Sequence, residues 1–347
     1  MELLRKLCET PGISGYEERI QKVIKEELEK VTDEVKIDKL GNIIGIKRTK
    51  KLSGKPIPKK VMIAAHMDEI GFIISFIDKD GFLRFVPVGG LHPRNLIAQR
   101  VVVHGEKDIG GVIGSKPIYF LEEEEKKKVL KIKDLFIDVG LKKDEASKIV
   151  KAGDFVTLDR DFKELNNNII TAKAFDDRVG VYVMIEVLKR IKDCYVDIYA
   201  VATVQEEVGV RGAIVSSFSV EPDIGIALDV CTASDIPGTK EEEMVTTLGG
   251  GTAIALMDVL TISNKKLVDF LRKIAEENKI KYQTEISTRG GTDAGAIQRS
   301  KSGVSACTVS IPTRYIHSIV EMCHKEDIES SIKLMSKFLE NAHKGEF

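Results

Sequence analysis

The 347-residue chain is long enough for two domains, or for one large domain that carries an insertion. Its formal net charge of −1 argues against nucleic acid as the main partner, and no unbroken apolar stretch is long enough to span a membrane. Residues 1–6 lack the apolar core of a signal peptide, and the five scattered cysteines form no CxxC pair, which favours free thiols in a reducing cytoplasm.

The first part of the chain has the pattern of an α/β unit. Residues 1–8 predict a short helix, and apolar residues at helical spacing predict a second helix over about 16–31. Ser14 and Glu17 fit a capping box at the start of the second helix. Two strands and an exposed basic loop are then expected over 34–38, 42–47 and 50–60.

A buried strand over 61–65 runs directly into His66 and Asp68. Extended backbone places side chains two residues apart on the same side of the strand. A histidine at a strand end is often structural, but a carboxylate beside an imidazole is also the usual device that orients a metal-bound histidine. The pattern therefore makes His66 a candidate metal ligand and Asp68 the residue that orients it.

Residues 70–164 form a block of different character. Short β-type runs alternate with glycine-containing turns, which predicts a small barrel or a sandwich, and a helix is expected over 144–151. The block holds no evident catalytic set of residues. We interpret it as an inserted β-rich domain, with the catalytic domain divided between residues 1–69 and 165–347.

After the insertion, predicted strands again end in carboxylates. The strand over 169–175 leads into Asp176 and a helix, and the strand over 195–204 leads into Glu206 and Glu207. A third strand over 222–228 ends at Asp229. Two more strands are expected, over 281–286 and 304–309. Three more helices are expected: one capped by Ser263, a short one opened by 288–295, and a last one over 325–342.

Chemistry in open α/β sheets gathers at the carboxyl ends of strands. The residues at these ends and strand–helix joints supply two histidines and several carboxylates: His66, Asp176, Glu206, Glu207, Asp229 and His317. This ligand set suits zinc, cobalt or manganese and has too many histidines for calcium. A shared carboxylate could bridge two ions about 3.5–4 Å apart, and a carboxylate that binds no metal could move the proton of an attacking water.

Several ordered stretches resemble those of the M42 family of dinuclear metallo-aminopeptidases, the tetrahedral (TET) aminopeptidases. The matching stretches span essentially the whole chain, at 66–71, 174–178, 205–213, 227–229 and 314–318. The resemblance implies a mixed-sheet α/β/α catalytic domain of the dinuclear-zinc peptidase kind, with an inserted barrel-like domain.

The resemblance also implies a role for each site residue. Asp176 is expected to bridge two divalent ions, zinc or cobalt. His66 and Asp229 complete one metal site, and Glu207 and His317 complete the other. The remaining implied features are Glu206 as general base and acid, Asp68 orienting His66, a cis Asp176–Asp177 peptide bond, and Thr292 and Asp293 near the substrate.

Members of the resembled family release N-terminal residues from short peptides. The resemblance implies that the inserted domain mediates dimerisation and that dimers assemble into hollow dodecamers. The composition, and not the resemblance, is what predicts a cytoplasmic protein with no nucleic-acid or membrane partner. A neutral aliphatic N-terminal residue is the expected preference.

Three alternatives remain at this stage. A deacylase or a carboxypeptidase could use the same metal site on another amide bond. A glycosidase needs two carboxylates flanking a sugar and no obligatory histidine, so His66 and His317 argue against it. A scaffold protein with a vestigial site is disfavoured because the ligand set is intact.

Overall fold

The computed structural model describes residues 1–49 and 58–347, so most of the basic loop predicted over 50–60 lies outside the described residues. In chain order the strands are β1 (Glu34–Ile37), β2 (Ile43–Lys47), β3 (Lys60–His66), β4 (Gly71–Ile77), β5 (Leu83–Val88), β6 (Arg100–His104), β7 (Asp108–Ser115), β8 (Leu135–Asp138), β9 (Phe155–Leu158), β10 (Lys163–Glu164), β11 (Ile169–Ala172), β12 (Asp197–Thr203), β13 (Ile224–Thr232), β14 (Thr252–Met257), β15 (Tyr282–Ile286), β16 (Ser305–Arg314) and β17 (Glu321–His324). The helices are α1 (Glu2–Glu9), α2 (Glu18–Glu29), α3 (Glu123–Lys126), α4 (Lys143–Ala146), α5 (Phe175–Arg190), α6 (Arg211–Val220), α7 (Lys265–Glu277), α8 (Asp293–Gln298) and α9 (Lys325–Asn341). Among the described helices, none is both long and apolar enough to cross a membrane.

One large mixed sheet forms the frame of the site. Its strand order is β1-β2-β12-β3-β13-β16-β17-β11-β10, and β14 pairs with both β15 and β16. The neighbours β12, β3, β13 and β16 run parallel, so their carboxyl ends lie at one edge. Thr203 pairs with His66, and Ala227, two residues before Asp229, pairs with Ala64, two residues before His66.

Helices cover both faces of this sheet. Alternate residues of β3 enter different cores: Val61, Ile63 and Ala65 pack with residues of α1, α5, α7 and α9, whereas Met62 and Ala64 pack with Val220 of α6 and Ile297 of α8. Strands buried on both faces read as continuous apolar runs, which is why β3 and β13 were recognisable from the sequence. The arrangement confirms the predicted mixed-sheet α/β/α fold.

The inserted block forms a closed barrel in the order β4-β5-β8-β7-β6-β9. Antiparallel pairing between neighbours closes the barrel, and β9 pairs with both β4 and β6. Apolar residues such as Phe72, Leu83 and Val103 form a core separate from that of the main sheet. A barrel, rather than a sandwich, is therefore the form of the β-rich insertion, while domain boundaries at 69/70 and 164/165 stay a prediction.

Three local predictions need correction, and one strand was missed. No capping box begins α2, because the N-cap residue Glu17 makes no side-chain cap hydrogen bond. The cap of α7 is Asn264, which accepts a hydrogen bond from the backbone N–H of Leu267 at 3.1 Å, and not Ser263. The helix expected over 144–151 is the single turn α4, and β14 was not predicted at all.

Candidate active site

The sheet edge brings the predicted site residues together. His66 ends β3, Glu206 and Glu207 follow β12, and Asp229 lies on β13 at the level of His66. Asp176 lies at the irregular start of α5, and His317 lies between β16 and β17. These positions come from five separate stretches of the chain and form one cluster.

His66 is the buried centre of the cluster. Its Nε2 lies 2.9 Å from Oδ1 of Asp176 and 4.0 Å from Oε2 of Glu206. Its Nδ1 lies 3.1 Å from the main-chain oxygen of Asp68 and 3.6 Å from the Asp68 carboxylate. Burial lowers the pKa of His66, but the Asp176 and Asp68 carboxylates outweigh this effect and hold the pKa well above its usual range.

Asp176 also contacts the second histidine. Nε2 of His317 lies 3.3 Å from Oδ2 of Asp176 and 3.1 Å from Oε2 of Glu207. Burial lowers the pKa of His317, but these two carboxylates reverse the shift and raise the pKa to about 11. Asp176 therefore directs one oxygen at each histidine.

Two overlapping groups of side chains could hold a metal ion. Ligand atoms of His66, Asp176 and Glu207 lie within 4.8 Å of one another, and so do those of His66, Asp177 and Asp229. The Asp176–Asp177 peptide bond is cis, as expected. Asp177 was not predicted as a site residue, although the expected cis peptide bond between Asp176 and Asp177 was a signal that could have found it.

The chemistry of the cluster fits divalent cations. Burial and neighbouring carboxylates raise the pKa of Asp177, Glu206 and Asp229 well above the usual range. Oε1 of Glu207 is buried without a hydrogen-bond partner among the described residues. Crowded buried carboxylates with a free acceptor atom are costly unless cations offset their charge, so these residues suit metal ions.

Asp68 does more than face His66. Its buried carboxylate accepts hydrogen bonds from the backbone N–H of Glu206 at 3.0 Å and of Glu207 at 3.1 Å. The hydroxyl of Ser14 donates to the same carboxylate at 2.6 Å, and Glu17 accepts from the backbone N–H of Gln205 at 3.1 Å. Ser14 and Glu17, mistaken for a helix cap, thus support the turn that carries Glu206 and Glu207.

Asp293 lies at the start of α8 and is buried. Its Oδ2 accepts a hydrogen bond from the hydroxyl of Thr203 at 2.6 Å, and its Oδ1 has no partner among the described residues. Thr203 pairs with His66 in the sheet, so Asp293 reaches the same edge. A substrate contact by Thr292 or Asp293 stays a prediction.

A further buried acid, Glu285 on β15, predicts a pH effect on stability. It accepts a hydrogen bond from the hydroxyl of Ser310 at 2.6 Å, and burial raises its pKa from the ordinary 4.5 to about 7. Because the folded-state pKa is the higher one, the cost of ionising this carboxyl is absent below pH 4.5 and fully present above about pH 7. We expect Glu285→Gln to remove that cost, so the free energy of unfolding of the variant, relative to that of wild type, should rise by about 2–3 kcal/mol between pH 5 and pH 8.

Denaturant unfolding of both proteins at pH 5 and pH 8 measures this gain. A difference between the two proteins that stays constant with pH would show that Glu285 does not carry the effect.

Comparison with known proteins agrees with this geometry. The family model described as M42 glutamyl aminopeptidase matches residues 41–334. The lysyl aminopeptidase of Pyrococcus furiosus is 41% identical over 98% of this chain and 96% of its own length.

Solved structures of similar proteins share the fold. A TET aminopeptidase from a marine sediment Thaumarchaeota archaeon superposes with a TM-score of 0.94 at 37% identity, covering 98% of this chain and 95% of its own. A TET peptidase of Pyrococcus horikoshii, described as assembling into a tetrahedron or a large octahedral shell, superposes with a TM-score of 0.85 at 36% identity, covering 97% of this chain and 98% of its own. The chain therefore belongs to the M42 peptidase family and is an aminopeptidase, a hydrolase that acts on peptides.

Proposed function

We propose that the chain is a metal-dependent aminopeptidase that removes N-terminal residues from short peptides, with two divalent ions and Glu206 as the general base. The observation that carries the proposal is the pair of overlapping ligand groups that share His66. Asp176, which contacts both histidines, is the natural bridging ligand. His66 and Asp229 would complete one metal site, and Glu207 and His317 would complete the other.

Zinc or cobalt fits these nitrogen and oxygen ligands. When bound, two such ions would supply Lewis acidity for the substrate carbonyl and lower the pKa of an attacking water. The protein residues hold the ligands in place before substrate arrives: Asp68 fixes the backbone of Glu206 and Glu207, and the buried walls exclude bulk water.

Glu206 is suited to move the proton. Its side chain is 12% exposed and belongs to neither ligand group, so its carboxylate can accept a hydrogen bond from the reacting water. Burial raises its pKa, so the carboxyl can keep the proton after it leaves the water and before it is passed to the leaving amine. In the proposed mechanism Glu206 takes the proton of the attacking water and delivers it to the leaving amine.

The proposal predicts that turnover needs both a free α-amine and a metal. A panel of single-residue amides and short peptides, each free and N-acetylated, should be assayed after chelation and again after zinc or cobalt is restored. We expect hydrolysis only of the free-amine substrates and only with metal. Equal hydrolysis of the acetylated substrates would favour a deacylase or an endopeptidase, and activity that survives complete chelation would remove the metal from the mechanism.

The same panel measures the preferred N-terminal residue. The matched family description and the Pyrococcus furiosus relative are named for glutamyl and lysyl residues, which carry opposite charges. Membership of the family therefore does not determine the preference, and a neutral aliphatic preference stays a prediction.

We also propose that the barrel mediates dimerisation and that dimers form a cytoplasmic dodecamer. Support comes from the Pyrococcus horikoshii relative, which is described as assembling into a tetrahedron or a large octahedral shell. In the connection between the barrel strands β7 and β8, Ile118, Tyr119 and Phe120 are 68%, 76% and 66% exposed, as expected of apolar residues that a second copy covers. The five cysteines are free and buried, which is consistent with a reducing compartment. A native mass equal to that of twelve chains tests the assembly.

A further inference from the structure

We infer that Glu321 is a positioning residue for the second metal site, the one formed by Asp176, Glu207 and His317. Glu321 is the first residue of β17 and is 2% exposed. It lies outside every ligand group among the described residues. The inference rests on the proposed two-metal function.

The carboxylate of Glu321 joins two separate parts of that site. Its Oε2 accepts a hydrogen bond from the backbone N–H of Asp176 at 3.0 Å, and its Oε1 accepts one from the backbone N–H of His317 at 3.0 Å. Strand pairing places Glu321 between them, because it pairs with Ala172 of β11, four residues before Asp176. Each oxygen therefore holds the backbone of one residue whose side chain faces the second site.

Both backbone segments need such support. His317 has a φ of 59°, and Tyr315 two residues earlier has a φ of 62°. Residues other than glycine adopt this left-handed conformation at a cost, and it persists only where the surroundings hold it. Asp176 is the second residue of α5 and has a non-helical ψ of 104°, and N–H groups in the first turn of a helix have no intrahelical partner, so its N–H is available to Glu321.

A carboxylate is required for this double contact. Glutamine has the same size, but it offers one acceptor oxygen and one donor NH₂ group. In Glu321→Gln the NH₂ group would face one of the two N–H groups, and one of the two contacts would be lost. Asp176 or His317 would then lose its fixed position, whereas His66 and Asp229 would keep theirs.

Asp327 offers a matched control. It lies on α9, is also fully buried, and accepts hydrogen bonds from the backbone N–H groups of Gly249 and Gly251, both at 2.7 Å. It therefore makes the same kind of double contact to a loop that carries none of the proposed ligands. Asp327→Asn removes one contact of the same type and tests for a general loss of stability.

The experiment is a zinc titration of metal-free wild type, Glu321→Gln and Asp327→Asn by calorimetry, with bound metal counted by elemental analysis and thermal unfolding followed in the metal-free state. We expect Glu321→Gln to bind the ion of the second site about 10- to 100-fold more weakly and to affect the ion at His66 and Asp229 less, because the second site uses both residues that Glu321 holds and the first site uses only Asp176. Asp327→Asn should bind both ions like wild type even where its unfolding temperature falls. If Glu321→Gln does not fold, Glu321→Asp replaces it, because the shorter side chain cannot span both contacts, and the same selective weakening is expected.

The outcomes separate this inference from the function on which it rests. Wild type that binds fewer than two ions contradicts the two-metal proposal and the inference together, and that result is visible without any variant. Wild type with two ions and a Glu321 variant that binds both ions unchanged, or both equally weakened, overturns the inference alone.

Discussion

Glu206→Gln is expected to lower kcat by about 10²- to 10⁴-fold without changing the metal content of the protein. The substitution keeps the size of the side chain but removes the group that can accept a proton. The backbone at residue 206 is held by the Asp68 carboxylate at 3.0 Å, so the turn should keep its conformation. Neither candidate ligand group includes Glu206, so the substitution removes no ligand and the protein should keep its metal.

The adjacent substitution Glu207→Gln is the matched control. Glu207 contacts His317 at 3.1 Å and belongs to a ligand group, so its loss should lower metal content as well as turnover. Steady-state kinetics with elemental analysis distinguishes the two variants. Full activity in Glu206→Gln would refute the assigned base, and loss of metal from it would make Glu206 a ligand instead.

The position of the site could be predicted because its signals are local. An apolar strand followed directly by an acidic residue or a histidine, as at His66 and Asp229, fixes both the strand and the place of the side chain along it. Parallel strands bring their carboxyl ends to one edge of the sheet, so separate stretches converge without any knowledge of loops. The resemblance then connected these residues to a reaction.

The supporting residues could not be predicted in the same way. Asp68 was expected to orient His66, but its contacts to the backbone N–H groups of Glu206 and Glu207 were not, nor was the hydroxyl of Ser14 that donates to Asp68. These contacts and those of Glu321 depend on loop conformations such as the positive φ of Gln205 and His317. No periodic pattern in the sequence encodes such conformations. Strand β14 was missed for a related reason: its residues Ala, Leu and Met favour helices, and pairing with β16 imposes the extended form.

The largest loss of metal is expected from Asp176→Asn. Asp176 is the proposed bridge, with one oxygen 2.9 Å from His66 and the other 3.3 Å from His317. An amide in this position is uncharged and offers only one acceptor oxygen. We expect the variant to hold at most one ion per chain and to lose roughly 10³-fold in kcat/KM, because bound ions contribute several kcal/mol to transition-state stabilisation.

Comparing Asp177→Asn with Asp176→Asn tests which of the two neighbouring carboxylates bridges the ions and which only supports the site. Asp177 lies in a ligand group with His66 and Asp229, yet its Oδ1 accepts from the N–H of Gly180 at 3.0 Å and its Oδ2 from the N–H of His66 at 3.1 Å. Because both oxygens already serve backbone groups, we expect its loss to weaken the ion at His66 without abolishing binding at His317. Elemental analysis of both variants measures the difference. Two ions retained in Asp176→Asn and none in Asp177→Asn would move the bridge from Asp176 to Asp177, since a residue whose removal leaves both ions bound cannot be the ligand they share.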